Sequence, residues 1–181
     1  MFDTLVEKLK KDPKTIVFTE GPDARILEAT ARIKAEGIMK VVLVGNVAEV
    51  EAAAKKGGFD IEGVEIIDPE TYAEMDAMVA KMVELRKGKM TPEQCKANLL
   101  KGNYFGTMLV KMGVADCLLG GATYSTADTV RPALQLIKTK PENKIVSSCF
   151  IMVREGVGDN TVLAMGDCAI NIDPTEDELV E

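Results

Sequence analysis

Apolar residues form short uninterrupted runs along the chain, and segments with helical periodicity separate most of these runs. Strands that are apolar throughout are typical of a parallel sheet covered on both faces. Because helices alternate with the first four runs, the pattern predicts an α/β fold with a doubly wound, mostly parallel sheet and helices on both faces. The predicted strands are 15–20, 40–45, 64–68, 115–121, 144–153 and 161–165.

Local start and stop signals delimit the predicted helices. Pro22 and Asp23 open one helix and Gly37 closes it, while Asn46 precedes a second helix. The "TPEQ" at 91–94 has the spacing of a capping box. The predicted helices are 2–11, 21–37, 47–56, 70–87, 92–101, 103–112 and a segment from about Thr129 to Lys138.

The pattern changes near residue 141, where two strands follow each other without an intervening helix. The loop "REGVGDN" between them has the composition of a hairpin turn. We therefore predict a first α/β domain over 1–141, and the first strands of a second α/β domain over 142–181.

The end of the sequence carries the signals of a helix start. Thr175 and Glu178 have capping-box spacing, and the chain stops about six residues after Thr175. A helix this short has little stability alone, because isolated helices need roughly 12–15 residues. Two interpretations stay open: a frayed tail, or a sequence that ends within a helix.

Composition and charge exclude several classes of function. The core must be aliphatic, since 46% of the residues are hydrophobic, only 4% are aromatic and none is Trp. The formal net charge of −7 gives no basic face for nucleic acid. No run reaches the roughly 18 apolar residues of a membrane span, so we expect neither nucleic-acid nor membrane partners.

Histidine is absent, which excludes Ser-His and Cys-His nucleophile pairs and His-based metal sites. A general base must then be Asp, Glu, Lys, Tyr or Cys. The four cysteines are far apart and form no CxxC pair. We predict that they are reduced and mostly structural, in a cytoplasmic protein with no metal site.

Arg131 is predicted in the first turn of its helix, within "STADTVRP". A cation there costs roughly 0.3–1 kcal/mol unless an anion lies nearby. Ser125, Thr126, backbone N–H groups and the guanidinium together indicate a phosphate site. The alternative, that Arg131 pairs with Asp128 or another carboxylate, has about equal weight.

Arg25 repeats this arrangement, because it follows "EGPD" after the first predicted strand. Ligands of doubly wound sheets bind at the carboxyl ends of strands, which strengthens the anion-site interpretation. Arg86 lies near a predicted helix C-terminus, where a cation is favoured, so its position alone favours a structural role. Arg32 and Arg154 are predicted to be surface residues.

Four segments resemble phosphate acetyltransferases, and the resemblance covers the whole chain. They are "EGPDARILEA" (20–29), "DCLLGGAT" (116–123), "GATYSTADTVRPALQLIKT" (121–139) and "MGDCAINIDPTEDELVE" (165–181). The resemblance implies a two-domain α/β protein, usually a homodimer, that transfers an acetyl group between coenzyme A and inorganic phosphate. Coenzyme A or acetyl-CoA and phosphate or acetyl phosphate are then partners as substrates, with no cofactor and no metal.

The resemblance also implies roles for individual residues. It assigns Arg25, Arg86 and Arg131 to the phosphate groups of coenzyme A and to the active-site cleft. Ser125 and the neighbouring hydroxyl of Thr126 are expected to line the same cleft. Arg86 thus gains a binding role from the resemblance that its own position does not indicate.

The resemblance is incomplete, because members of the family are nearly twice as long. The catalytic Ser-Arg pair and Asp, a glycine-rich "STGGSG"-like loop and the helices that complete the first domain have no counterpart here. Catalytic residues within this chain are therefore unknown, and we expect an inactive fragment. The alternatives are a phosphate butyryl- or propanoyltransferase and a non-catalytic acetyl-CoA-sensing domain like those of malic enzymes.

Overall fold

The computed structural model describes residues 2–154, 162–167 and 169–181. It divides into two compact units, Met1–Ile137 and Lys138–Glu181. The division falls four residues before the boundary expected after residue 141. That the units are an incomplete first domain and the start of a second stays a prediction.

The first unit contains four strands, β1 (Thr15–Phe18), β2 (Lys40–Val44), β3 (Glu65–Ile67) and β4 (Cys117–Leu119). They form a parallel sheet in the order β3-β2-β1-β4, which confirms the α/β fold class. Because β2 and β4 lie on opposite sides of β1, the order of the strands reverses between β1 and β4. Ligands of doubly wound sheets bind at such a switch point.

Helices cover both faces of this sheet, and several begin and end at the expected caps. Asp23, Asn46 and Thr91 cap three N-termini, and Gly37 ends a helix in the left-handed conformation. The helices are α1 (Phe2–Lys11), α2 (Ala24–Glu36), α3 (Val47–Gly57), α4 (Met75–Arg86), α5 (Pro92–Leu99), α6 (Gly102–Lys111) and α7 (Thr126–Pro132), and a π-helix follows at Ala133–Ile137.

The predicted start of the fourth helix is wrong. The helix expected over 70–87 begins at Met75, because Asp68 holds the chain in a turn after β3. The Asp68 carboxylate accepts a hydrogen bond from the Glu70 backbone N–H, and its carbonyl accepts one from Thr71. Such local side-chain bonds compete with helix formation.

Alternate residues of the strands divide the core into two layers. Val17 of β1 packs with Met78 and Phe105 on one side of the sheet. Phe18, the next residue, packs with Leu27 and other apolar residues on the opposite side. This two-sided burial explains why the strands are apolar after the polar residues Thr15, Lys40 and Glu65 that begin β1, β2 and β3.

The second unit contains an antiparallel hairpin and a short helix, as the sequence predicted. The strands are β5 (Cys149–Val153) and β6 (Val162–Gly166), and the helix is α8 (Glu176–Val180) with Thr175 and Glu178 in a capping box. β5 begins later than expected, because Lys144 and Ile145 donate their backbone N–H groups to the Glu181 carboxylate instead. The predicted hairpin turn lies largely outside the described residues.

None of the helices in the described part of the chain combines the length and apolar character that a membrane crossing requires.

Candidate functional site

A cleft of about 710 Å³ lies at the carboxyl edge of the parallel sheet. Loops that follow all four strands line it, so it has the position at which doubly wound sheets bind ligands. The residues that follow each strand and face the cleft are Thr19 and Glu20 after β1, Gly45 and Asn46 after β2, Asp68 and Pro69 after β3, and Thr123 and Tyr124 after β4.

Glu20 holds the loop that follows β4. Its carboxylate accepts hydrogen bonds from the backbone N–H groups of Gly121 (2.9 Å), Ala122 (3.0 Å), Thr123 and Tyr124 (3.0 Å). The Thr123 hydroxyl donates a further bond of 2.7 Å. Four consecutive amides therefore converge on one buried anion that the chain itself supplies, directly at the switch point between β1 and β4.

This arrangement stabilises the ionised form of Glu20. Burial of the carboxyl raises its pKa, but the hydrogen bonds from Thr123, Ala122 and Tyr124 outweigh burial and lower the pKa below its ordinary value. Glu20 is only 7% exposed, so its charge depends on these donors rather than on solvent. At neutral pH Glu20 is a structural anion and a poor base.

Thr19 packs against three glycines beside this loop. A Cβ atom at Gly102 would lie 2.4 Å from the Thr19 carbonyl oxygen, and one at Gly106 would lie 2.7 Å from its Cγ2. A Cβ at Gly120 would lie 2.7 Å from the Thr19 Oγ1. These close contacts let α6 and the β4 loop lie directly against the end of β1.

Arg25 joins the start of α2 to the same loop. Its Nε and Nη2 donate to the Asp23 carboxylate at 2.9 and 2.8 Å, and Nη2 also donates to the Ala122 carbonyl at 2.7 Å. The hydrogen bond from Arg25 is the main cause that lowers the pKa of Asp23 to about 2. Although it is held at these atoms, the Arg25 side chain stays 68% exposed.

Helix α7 begins earlier than the sequence predicted. Ser125 is its N-cap, and the Ser125 hydroxyl accepts from the Asp128 N–H at 3.1 Å and donates to the Asp128 carboxylate at 2.7 Å. Arg131 is therefore the sixth residue of α7, and its expected place in the first turn is wrong. Among the described residues Arg131 has no hydrogen bond or ion pair, and it does not pair with Asp128.

The early start places Pro132 inside the helix, where it cannot donate to the Asp128 carbonyl four residues before it. The side-chain amide of Asn103, in α6, donates to that carbonyl instead at 2.7 Å. After Pro132 the chain continues as a π-helix. The Asn103 bond thus replaces a missing backbone bond and fixes α7 to α6.

We expect Asn103→Ala to lower the free energy of unfolding by about 1–2 kcal/mol, because the Asp128 carbonyl loses its partner. Pro132→Ala would restore a backbone donor to that carbonyl. A double-mutant cycle measured by urea unfolding should therefore give a smaller cost for Asn103→Ala in the Pro132→Ala background. Equal costs in the two backgrounds would contradict this explanation.

Arg86 is the last residue of α4 and is half-buried. Its Nε is buried and has no hydrogen-bond partner among the described residues. Burial raises the pKa of the nearby Cys95 thiol, and the charge of Arg86 opposes that rise. No described contact joins Arg86 to the loop that Glu20 holds.

The structure thus brings together only part of the predicted set. Arg25, Ser125 and Thr126 flank the loop after β4, but none of the five predicted residues lines the cleft. Five carboxyl residues line the cleft, and its described lining includes no Lys or Arg. The charge of the cleft itself therefore disfavours an anion. These carboxyl residues are Glu20, Asp23, Glu49, Asp68 and Glu70. The substrate-binding roles of the five residues stay predictions.

The described residues contain neither an activated cysteine thiol nor a cluster of metal-binding side chains. Cys95, Cys117 and Cys149 are free, and Cys168 lies outside the described residues. Burial raises the pKa of both Cys95 and Cys117, so neither is an activated thiol. No described group of three or more His, Cys, Asp or Glu residues is arranged to hold a metal ion.

All 181 residues match the family described as "Phosphate acetyl/butaryl transferase". The chain belongs to this family. It is 48% identical over 181 residues to a phosphate acetyltransferase of Bacillus subtilis (strain 168), covering all of this chain and 55% of that protein. A phosphate acetyltransferase of Thermoanaerobacterium thermosaccharolyticum is 43% identical over 182 residues, with 99% and 55% covered.

Solved structures of the family have the same fold. A phosphotransacetylase from Streptococcus pyogenes is 48% identical, with a TM-score of 0.90 over 98% of this chain and 54% of that one. The EutD phosphotransacetylase from Staphylococcus aureus is 40% identical, with a TM-score of 0.89 over 98% and 52%. The chain thus spans about half the length of the relatives it matches.

Proposed function

We propose that this chain is the part of a phosphate acetyltransferase that binds the substrate anions. The whole reaction moves an acetyl group reversibly between acetyl-CoA and inorganic phosphate, and gives acetyl phosphate and coenzyme A. The observation that carries the proposal is the family match over all 181 residues, with 48% identity to a phosphate acetyltransferase. The covered share of 55% supports a contribution of about half the enzyme.

The chemistry requires a base, and three carboxylates of this chain are poor candidates for that role. Toward acetyl-CoA, the coenzyme A sulfur attacks the acetyl carbonyl carbon, the bond to the phosphate oxygen breaks, and phosphate leaves with the electron pair. A thiol with an ordinary pKa of about 8.5 must first lose its proton. Hydrogen bonds lower the pKa values of Glu20, Asp23 and Asp167, which makes all three weak bases. This supports the proposal that the chain alone is inactive.

The proposed contribution of this chain is to bind phosphate groups of coenzyme A through Arg25, Arg86, Arg131, Ser125 and Thr126. Arg25 has an exposed guanidinium that is oriented by Asp23 and Ala122. Arg131 is exposed and has no described partner that a phosphate would have to displace. Each charge-assisted contact contributes about 1.5–3 kcal/mol.

The proposal includes coenzyme A as substrate rather than cofactor, no resident cofactor, a homodimer and a cytoplasmic location. Butyryl or propanoyl transfer is the alternative within the family, whose description names both acetyl and butaryl transfer. The relatives reported above carry the acetyl name, which favours acetyl transfer.

A chimera tests this proposal. The 181 residues would replace the matched region of the Bacillus subtilis relative and be joined to its remaining residues. We expect acetyl-phosphate-dependent acetylation of coenzyme A by the chimera and none by the 181-residue chain. In the chimera, Arg131→Ala should raise the KM for coenzyme A about tenfold, the loss of one charge-assisted contact.

Arg32→Ala is the matched control, because Arg32 is an exposed residue in the middle of α2. It should leave the KM unchanged. Turnover by the 181-residue chain alone would place the catalytic groups within it and contradict the proposed division. A folded chimera without turnover would contradict the proposed function.

A further inference from the structure

Tyr124 lies in the loop that follows β4 and lines the cleft at the carboxyl edge of the sheet. Its backbone N–H donates to the Glu20 carboxylate at 3.0 Å, so the main chain of the residue is fixed. Gly102 lines the same cleft, and a Cβ atom on Gly102 would lie 3.2 Å from the Tyr124 hydroxyl oxygen. The hydroxyl of Tyr124 therefore lies beside the cleft as well as its backbone.

The N-terminus of α6 orients this hydroxyl. Lys101, the N-cap residue of α6, makes no side-chain cap hydrogen bond. Asn103 is the second residue of the helix, and its backbone forms a hydrogen bond with the Tyr124 side chain. The Tyr124 oxygen thus accepts one of the N–H groups that a helix start leaves unpaired, and its proton remains to be donated.

That proton stays on the oxygen at neutral pH. Burial and the charge of Glu20 raise the pKa of Tyr124 above its ordinary value, and Asp128 adds to the rise. The hydrogen bond from the Asn103 backbone opposes the rise without cancelling it. Tyr124 is therefore a neutral phenol and a hydrogen-bond donor.

Two other donors of the cleft bind carboxylates of the chain itself. The Thr123 hydroxyl donates to Glu20 at 2.7 Å, and the Asn46 side-chain amide donates to Asp68 at 2.9 Å. Among the described residues, none accepts the proton of the Tyr124 hydroxyl. Partly buried donors normally have an acceptor, so a ligand in the cleft is the natural partner of this one.

The charges around Tyr124 select the kind of acceptor. A phosphate oxygen would meet five carboxyl residues and no Lys or Arg in the described lining of the cleft. A carbonyl oxygen accepts a hydrogen bond without bringing a negative charge. The substrates of the proposed reaction carry such oxygens in two places, the acetyl group and the amides of the pantetheine arm of coenzyme A.

We propose that the Tyr124 hydroxyl binds a carbonyl oxygen of the substrate in this cleft, while the phosphate groups bind outside the cleft at the arginines. The identity of the substrate rests on the proposed function. The presence of an oriented donor in a cleft that repels anions rests on the structure of this chain alone.

The kinetics of the chimera test this role by removing one oxygen. Tyr124→Phe keeps the ring and deletes the hydroxyl. If the partner is a pantetheine amide, the KM for coenzyme A should rise about three- to tenfold at unchanged kcat, because ground and transition states share the contact. If the partner is the acetyl carbonyl, on which negative charge develops, kcat should fall about tenfold or more at unchanged KM for coenzyme A.

Tyr72→Phe is the matched control. The Tyr72 ring packs edge-on against Phe105 with ring centres 5.1 Å apart, and Tyr72 does not line the cleft. This variant should leave kcat and KM unchanged. Hydrogen exchange at Gly121 to Thr123 should be the same in wild type and Tyr124→Phe, because Glu20 binds those amides. Faster exchange there, or unchanged kcat and KM in Tyr124→Phe, would overturn the proposal.

Carbon-13 NMR of the tyrosine Cζ atoms gives a second readout that requires no turnover. Pantetheine carries amide carbonyls without phosphate, acetyl phosphate carries the acetyl carbonyl, and inorganic phosphate carries no carbonyl. We expect at least one of the first two probes to shift the Cζ signal that is missing from the Tyr124→Phe chimera, and inorganic phosphate to leave it unchanged. A shift with inorganic phosphate, or with none of the three probes, would contradict a carbonyl contact.

The outcomes separate this proposal from the proposed function. An active chimera whose kinetic constants and Cζ signals do not respond leaves the function standing and removes the carbonyl contact. A folded chimera without turnover, in which pantetheine still shifts the Tyr124 signal, does the reverse.

Discussion

Glu20→Gln is expected to destabilise the first unit by about 2–4 kcal/mol, because a charged acceptor is lost and buried donors stay unpaired. In the wild type, one carboxylate oxygen accepts from Gly121 and Ala122, and the other accepts from Thr123 and Tyr124. A Gln side chain has the same shape but only one oxygen. Its NH₂ group would face one of these two pairs of amides, donor against donor.

Urea unfolding followed by circular dichroism measures this loss, and hydrogen exchange at Gly121 to Tyr124 locates it. Glu28→Gln is the control, because Glu28 is an exposed residue of α2 whose replacement should stay within about 0.5 kcal/mol. If Glu20→Gln were as mild as Glu28→Gln, the four amides would not depend on the charge of Glu20.

The same interaction has a definite pH dependence. Because the folded-state pKa of Glu20 is lowered, its contribution is present above the unfolded-state pKa of about 4.3 and is lost as pH falls through the folded value. The difference in stability between wild type and Glu20→Gln should therefore be complete at neutral pH and shrink in acid. Asp23, whose pKa is lowered to about 2 chiefly by its hydrogen bond from Arg25, stays ionised until the pH approaches that value.

The features that could be predicted from the sequence have local causes. Asp23, Asn46, Thr91 and Thr175 each bind a backbone N–H two or three residues further on, so spacing along the chain reveals them. The strands of the parallel sheet are equally recognisable in the sequence, because burial on both faces leaves nearly all of their residues apolar. Fold class and most helix starts follow from such signals.

Two of the features that sequence reasoning missed depend on partners distant along the chain. Glu20 binds amides about a hundred residues away, and its only signal is a carboxylate at the end of a buried strand, where it must find donors. The predicted start of α7 is wrong because a proline at position 132 favours a later start. Asn103, which lies 25 residues before Asp128 in the sequence, makes the earlier start possible because its side chain binds the Asp128 carbonyl.

The positions of Arg25 and Arg131 also differ in how far the sequence could predict them. Arg25 lies where its neighbours in sequence place it, beside Asp23 and at the end of β1. Because α7 begins at Thr126, Arg131 lies in the second turn of the helix rather than in the first. The helix dipole at the N-terminus therefore gives no reason to expect an anion beside it. Its exposure and the lack of a described partner become the support for an anion site, and the chimera kinetics test that support.

Gly102→Ala is expected to cost about 2–3 kcal/mol of stability, although Ala is normally the better helix former. The new Cβ would lie 2.4 Å from the Thr19 carbonyl oxygen, which is backbone and cannot turn away. Either α6 or the end of β1 must shift, and Glu20 follows Thr19 directly. Urea unfolding should show the loss, together with faster hydrogen exchange at Gly121 to Tyr124.

Gly106→Ala with Thr19→Ser provides the matched comparison. A Cβ at Gly106 would meet the Thr19 Cγ2 at 2.7 Å, and Ser lacks that methyl group. Thr19→Ser should therefore recover at least half of the stability lost in Gly106→Ala and none of that lost in Gly102→Ala. Rescue of both variants would mean that general loosening of the packing relieves the strain. Rescue of Gly106→Ala alone would establish that the backbone at the end of β1 lies directly against α6 and thereby fixes where Glu20 holds the β4 loop.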